Sequence, residues 1–251
     1  MIITHEKHEI EIYSDFETLP ILRFQKFNKY QLKASDVGSE FSDFQQRVIK
    51  VSQFIHKELK ESALKELENM TLTLFNGFNE ISPRSQAFAI LVKRIDEKEF
   101  QDISAEGLQR CLEALDAISF PYSDAIEAIS NVKKKLNTQL SVYYPTQFKK
   151  GGDEETALLR VKRANLMLDN ITDPGEEKEK QIFNLEKLIL ERNPPNIWNT
   201  HLPENMERFF ESEFNKFLLA VCDNSNLDID KVTVKTFYSK VEQIQDKHKS
   251  K

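Results

Sequence analysis

The residues best equipped for chemistry in this 251-residue chain are few, and their spacing suits none of it well. His5 and His8 lie three apart beside Glu6 and Glu9, a grouping that looks like a metal site on paper. On one extended strand, however, positions i and i+3 face opposite ways, so the two rings diverge and no ligand set forms. His56 and His201 have no ligand-like spacing to anything. Residues 223–230, DNSNLDID, invite a calcium-loop reading, but they lack the glycine an EF-hand needs at its sharp turn and the bidentate glutamate that closes it. The stretch reads instead as a polar interhelical loop in which Asp230 or Thr233 caps the following helix. Carboxylate pairs such as Glu176-Glu177, and the run 153–155, belong to solvated faces in a chain that is 30% charged. Phosphate-loop, dinucleotide, nucleophile-elbow and zincin signatures do not occur. We therefore expect no enzymatic activity, no catalytic residue, no metal and no cofactor.

The most unusual stretch is 19–30, LPILRFQKFNKY. Phe24, Phe27 and Tyr30 recur every third residue, and Arg23, Lys26 and Lys29 recur on the ridge beside them, with no acidic residue between. Pro20 near the start suits a helix, which would carry an aromatic stripe flanked by a cationic one. One reading is a core-facing first helix with a solvated basic edge. The other is a docking element for an acidic partner, with Arg23, Phe24, Lys26, Phe27, Lys29 and Tyr30 as the contact surface and the 209–217 stripe as a second one.

Composition narrows the classes. Apolar residues make up 39% of the chain, and six glycines and eight prolines leave little material for a fold built on tight turns. Phenylalanine is heavily used, with 18 residues against a single tryptophan, so an aromatic-rich core is expected. The net charge of −6 argues against a general nucleic-acid binder, whose affinity rests on clustered Lys and Arg. Cys111 and Cys222 sit in helical apolar patterns and read as buried reduced thiols. No signal peptide or lipidation motif opens the sequence, and no apolar run reaches membrane-spanning length. These features read as a cytosolic protein with no membrane partner.

The elements follow from hydrophobic period. Residues 1–13 alternate, giving a short β-hairpin with its turn near 5–7. Phe41, Phe44, Val48, Val51, Ile55 and Leu59 mark a helix that Ser42 or Ser39 caps, and Leu64, Leu67, Thr71, Leu74 and Phe78 mark a second one antiparallel to it. Ser82-Pro83 opens a third helix through Ile95. Ser104 and Ser123 cap two more. Gly151-Gly152 is the expected boundary between an N-terminal helical domain with a short β element, 1–148, and a C-terminal helical domain, 153–251. In the latter, Ala157, Val161, Ala164, Leu168 and Ile171 line one face, and Trp198 anchors a connector. Met206, Phe210, Phe214, Phe217 and Val221 make an aromatic stripe, and a last helix starts near Thr233. The fold class is mainly α, as two helical-bundle units with a short N-terminal hairpin.

Leu19-Pro20, Arg23-Phe24 and Lys26-Phe27-Asn28-Lys29-Tyr30 resemble the opening of a group of helical proteins found among the structural genes of Bacteroidetes tailed phages and prophages. The likeness continues through Gly38-Ser39, Lys65-Glu66-Leu67-Glu68-Asn69 and Ala87-Phe88-Ala89-Ile90-Leu91-Val92. It ends with residues 209–219 and Thr233-Val234-Lys235-Thr236-Phe237-Tyr238. The resemblance implies a helical virion or assembly protein, similar to the chaperones that hold a tail's tape-measure protein before polymerisation. Its partner would be that tape-measure protein or another virion protein, with a homo-oligomer as a further option. A connector or capsid-associated subunit is the structural alternative. An enzyme without a recognisable motif is a distant one, and it would require a deep pocket with convergent polar groups.

Overall fold

The computed structural model describes residues 1–38, 40–78, 82–148, 154–199, 201–223, 228–229 and 231–249. In chain order the elements are β1 (Ile2–His5), β2 (His8–Ile12), α1 (Ile21–Asp36), α2 (Phe41–His56), α3 (Lys60–Phe78) and α4 (Pro83–Leu91). They continue with β3 (Val92–Ile95), β4 (Lys98–Glu99), α5 (Ala105–Ala117), α6 (Tyr122–Tyr143) and α7 (Pro145–Phe148). The last four are α8 (Glu154–Thr172), α9 (Glu176–Glu191), α10 (Met206–Asp223) and α11 (Val234–Lys249). The protein is mainly α with a small antiparallel sheet near its N-terminus, as the periodicity implies. Among the described residues, no helix is long and apolar enough to cross a membrane.

Two compact units divide the chain. Unit 1 gathers Met1–Ser39, Asn76–Lys149 and Met206–Lys251, and unit 2 gathers Glu40–Phe75 and Lys150–Asn205. This differs from the consecutive halves 1–148 and 153–251 read from the sequence, because α10 and α11 group with the N-terminal elements. The Gly151-Gly152 pair lies outside the described residues. Backbone hydrogen bonds explain the grouping of α11: Ile21 N donates to Val232 O at 2.8 Å, Val234 N to Leu19 O at 3.0 Å and Lys235 N to Phe16 O at 2.9 Å. These bonds staple the start of α11 to the chain entering α1, across a separation that no local pattern records.

In unit 1 the expected hairpin forms, with Glu6 at φ 51° in the turn and His5 opposite His8. A two-stranded hairpin is marginal alone, and here β3 and β4 extend it to the antiparallel order β1-β2-β3-β4. Recruitment of β3 corrects one expectation. Ser82 does cap α4, accepting from Arg84 N at 3.2 Å, but the helix stops at Leu91 rather than Ile95. Val92 and Ile95 instead pair with Ile12 and Ile10 of β2, and β-branched residues fit that half-buried pleat. Ser104 caps α5 as expected, accepting from Gly107 N at 3.1 Å. α6 starts earlier than Ser123 would set it: Pro121 is the residue before the helix, and Ser123 Oγ donates to Asp124 within the first turn. The core is large and aromatic, with Phe16, Phe27, Phe88 and Phe237 at 2% exposure or less among aliphatic neighbours from the sheet, α4 and α6. Each such side chain contributes about 1.5–3 kcal/mol of transfer free energy. Cys111 and Cys222 are buried and free, and burial pushes the Cys111 thiol up to about 12.

Unit 2 is built differently. Its α2 is capped by a Glu40–Asp43 box rather than by Ser42. Ser39, the other expected cap, lies outside the described residues. Trp198 is buried in the connector that follows α9, as expected. Its buried apolar cluster is small, with Val51, Phe54 and Ala63 at the centre and Leu59, Met70 and Leu190 against them.

Candidate protein-binding surface

The six residues of α1 expected to meet a partner are all largely covered by the protein itself. Arg23, Phe24, Phe27 and Lys29 are buried, and Lys26 and Tyr30 are half-buried. The aromatic side belongs to the core of unit 1, as one sequence reading had it, but the cationic edge is not solvated either. Arg23 Nη1 donates to Ile90 O at 2.6 Å and Val92 O at 3.0 Å, and its Nη2 donates to Phe100 O. Those carbonyls surround the junction where α4 gives way to β3, and buried carbonyls need donors. Lys26 Nζ donates to Ile103 O at 2.7 Å. Lys29 Nζ pairs with Glu207 at 2.7 Å and Glu211 at 2.8 Å on α10. This stretch is an internal brace, and it offers no cationic–aromatic face to a partner.

The histidine cluster also resolves structurally. The turn sets His5 and His8 across from each other, so the strand-period argument fails, yet the rings find separate partners. His8 Nδ1 lies 2.7 Å from Asp96 Oδ2, while His5 stands edge-on to Phe120 with ring centres 5.7 Å apart. Among the described residues, no group of three or more His, Cys, Asp or Glu is placed to hold a metal. The 223–230 loop lies largely outside the described residues.

A further set of ionisable groups is in unit 2. Glu186 on α9 accepts from Lys57 at 2.9 Å and from Arg163 at 2.8 Å, with Lys57 Nζ 3.6 Å from the centre of the Phe183 ring. Gln53, His56, Ile189 and Leu190 complete the lining of a cavity of about 230 Å³. Burial favours the neutral form of Glu186, but hydrogen bonds and charge from Lys57 and Arg163 outweigh it and hold the carboxyl below its ordinary range. A carboxylate so held is a poor proton donor near neutrality. The cluster clamps helices together rather than presenting an acid–base pair.

What sets unit 2 apart is the direction of its amphipathic stripes. On α3 the buried positions are Ala63, Glu66, Asn69 and Thr73, while Leu64, Leu67, Leu74 and Phe75 are exposed. The stripe expected to face inward therefore faces out, and its last member, Phe78, is not among the described side chains. Glu66 is fully buried and is held by Arg47 at 3.0 Å and Lys50 at 3.3 Å. Asn69 Nδ2 donates to Asn196 O at 2.8 Å. On α2, Val51 and Phe54 point inward, but Phe41, Val48, Ile49 and Ile55 are exposed. On α8, Ala157, Val161, Ala164, Leu168 and Ile171 are all exposed, together with Leu158.

The chain matches no known family model, no curated protein and no solved structure.

The exposed apolar side chains of these three helices, which on α3 stand opposite mostly polar enclosed residues, are an apolar surface beyond singly scattered hydrophobics. In chemical terms it can do one thing well, which is to cover other apolar surface. The second sequence candidate, on α10, is mixed: Phe209 and Phe217 are exposed, Phe210 and Phe214 are half-buried, and Phe217 stands edge-on to Phe237. Periodicity located every one of these stripes. It carried no signal for which of them an intramolecular core would claim.

Proposed function

We propose that this chain is a non-enzymatic assembly protein of a tailed phage or prophage. It acts as a chaperone or adaptor that covers apolar helical segments of another virion protein until that protein is built in. The single observation that carries the reading is α3, whose leucine–phenylalanine stripe faces solvent while Glu66, Asn69 and Thr73 are buried behind it. A helical unit with so small an apolar cluster draws little stabilisation from burial within itself, so surface covered in a complex contributes what its core does not. A partner helix laid along such a stripe is a common way for helical proteins to recognise one another. The likeness of 19–30, 87–92 and 233–238 to phage structural-module proteins adds the biological setting, and with it a site of action in the host cytoplasm or the virion.

The test is co-expression of the full chain with the tape-measure protein of a Bacteroidetes tailed phage. Retention of that partner in the soluble fraction, lost when Leu67 and Leu74 are both changed to glutamate, supports the reading. A partner equally soluble with the variant, or insoluble with the wild type, overturns it. Mass spectrometry of purified particles then separates a chaperone, which is absent from them, from a connector or capsid-associated subunit, present at fixed copy number.

A further inference from the structure

We propose that the cavity lined by the end of α2, by α8 and by α9 binds a small organic carboxylate, with Arg163 gripping the carboxyl group. The inference concerns unit 2 alone and does not depend on the assembly role.

The donors and acceptors on the cavity wall do not balance. Glu186 is the one carboxylate among the lining residues, and both of its oxygens are taken. Oε1 accepts from Arg163 Nε at 2.8 Å, and Oε2 lies 2.9 Å from Lys57 Nζ. Using Nε leaves the Nη1–Nη2 edge of the guanidinium, and no described residue accepts from it. The side-chain amide of Gln53, exposed in the last turn of α2, is likewise without a partner among the described residues. Lys57 is only 7% exposed, and it turns a further part of its ammonium to the Phe183 ring, 3.6 Å from the ring centre. The wall therefore carries N–H donors to spare and no carboxylate left to meet them.

Charge selects the occupant. Lys57 and Arg163 against Glu186 leave one positive charge, which a monoanion neutralises. The open edge of a guanidinium matches a carboxylate with two parallel hydrogen bonds. A phosphate dianion would bring a second negative charge beside Glu186. The negative end of α2 does not oppose an anion here, because its last carbonyls are already engaged. Gln53 O accepts from Lys57 N, Phe54 O from Leu59 N and Ile55 O from Glu58 N. Ile189 and Leu190 give the cavity an apolar wall that suits a short hydrocarbon tail. Its volume of about 230 Å³ lies below the range of drug-sized sites, so the ligand is small.

Titration of the full chain with sodium butyrate, followed by NMR on the Ile189 and Leu190 methyl groups, reads the site directly. We expect saturable shifts with butyrate and none with butyramide, which has the same size but no charge. Arg163→Lys keeps the positive charge beside Glu186 but removes the fork, and it weakens butyrate binding about tenfold. Gln53→Glu, at an exposed position, sets a fixed carboxylate at the cavity and weakens binding as well. It carries the test if circular dichroism shows that Arg163→Lys does not fold. Shifts that fail to saturate overturn the proposal, as does butyramide binding as well as butyrate. So do folded variants that bind butyrate like the wild type, or inorganic phosphate that displaces butyrate at a lower concentration than butyrate itself needs.

Discussion

Arg23 Nη1 donates to the carbonyl oxygen of Ile90 at 2.6 Å, across 67 residues of sequence. The bond marks the point where α4 ends, and the same guanidinium also reaches the carbonyls of Val92 and Phe100. Arg23→Met keeps the apolar stem but leaves those oxygens without a charged donor inside unit 1. We expect a loss of about 3–5 kcal/mol in urea unfolding. Arg23→Lys recovers only part of it, because an ammonium cannot serve three acceptors held in a guanidinium's planar fork.

Glu207 and Lys29 predict how stability changes with pH. Burial favours neutral Glu207, yet the hydrogen bond and charge of Lys29 outweigh it, so the folded carboxyl lies below its ordinary range. A depressed folded pKa contributes stability that is present above the unfolded value of about 4.3 and is lost as pH falls through the folded value. Lys29 shifts the other way: burial lowers it, but Glu207 and Glu211 raise it overall. Its contribution is present below about 10.4 and is lost as pH rises through the folded value. Glu207→Gln is therefore less stable than wild type at neutral pH. The gap between their urea midpoints closes in acid, as the wild-type carboxyl protonates.

Glu66 holds two cations inside unit 2. Glu66→Ala leaves Arg47 facing a cavity without its carboxylate and costs about 3–5 kcal/mol. Arg47→Met combined with Glu66→Leu removes both charges in favour of apolar side chains of similar volume. We expect it to be near neutral in thermal unfolding, since Lys50 is part-exposed and can turn to water. A double variant as unstable as Glu66→Ala would show that the network sets the packing of α2 against α3.

Gly107 makes a local prediction. A Cβ at this position would stand 2.3 Å from Asp102 O and 2.5 Å from Asp102 Cγ. Asp102 is itself fixed by Ser104 N at 2.8 Å and Arg110 at 2.5 Å. Gly107→Ala must therefore displace the backbone ahead of α5. Despite alanine's better helix propensity it should destabilise by about 1–3 kcal/mol, read from the denaturant midpoint.

Much of the helical framework was legible from local rules. Ser104 and Ser82-Pro83 marked their helices because capping needs only the next few residues. The hairpin at 1–13 followed from alternation. The failures came where a distant element changed the local outcome. Val92–Ile95 continued a helical pattern but became a strand once β2 offered its edge. α1 carried its cations inward because three carbonyls at a junction far along the chain needed a donor there.

The sequence by itself determined that this protein is mainly helical, where most of its helices lie, and which side of each is apolar. Those properties follow from the 3.6-residue period, caps and turn residues. Only the tertiary structure decided which of those sides is covered. Hydrophobic burial is non-directional, so a stripe has the same period whether its cover is the chain's own core or another molecule. In unit 1 the cover is intramolecular, and even Arg23 and Lys29 are taken in with it. In unit 2 it is the largely polar face of α3 that is enclosed, and Leu67 on α3 and Leu168 on α8 are left to solvent.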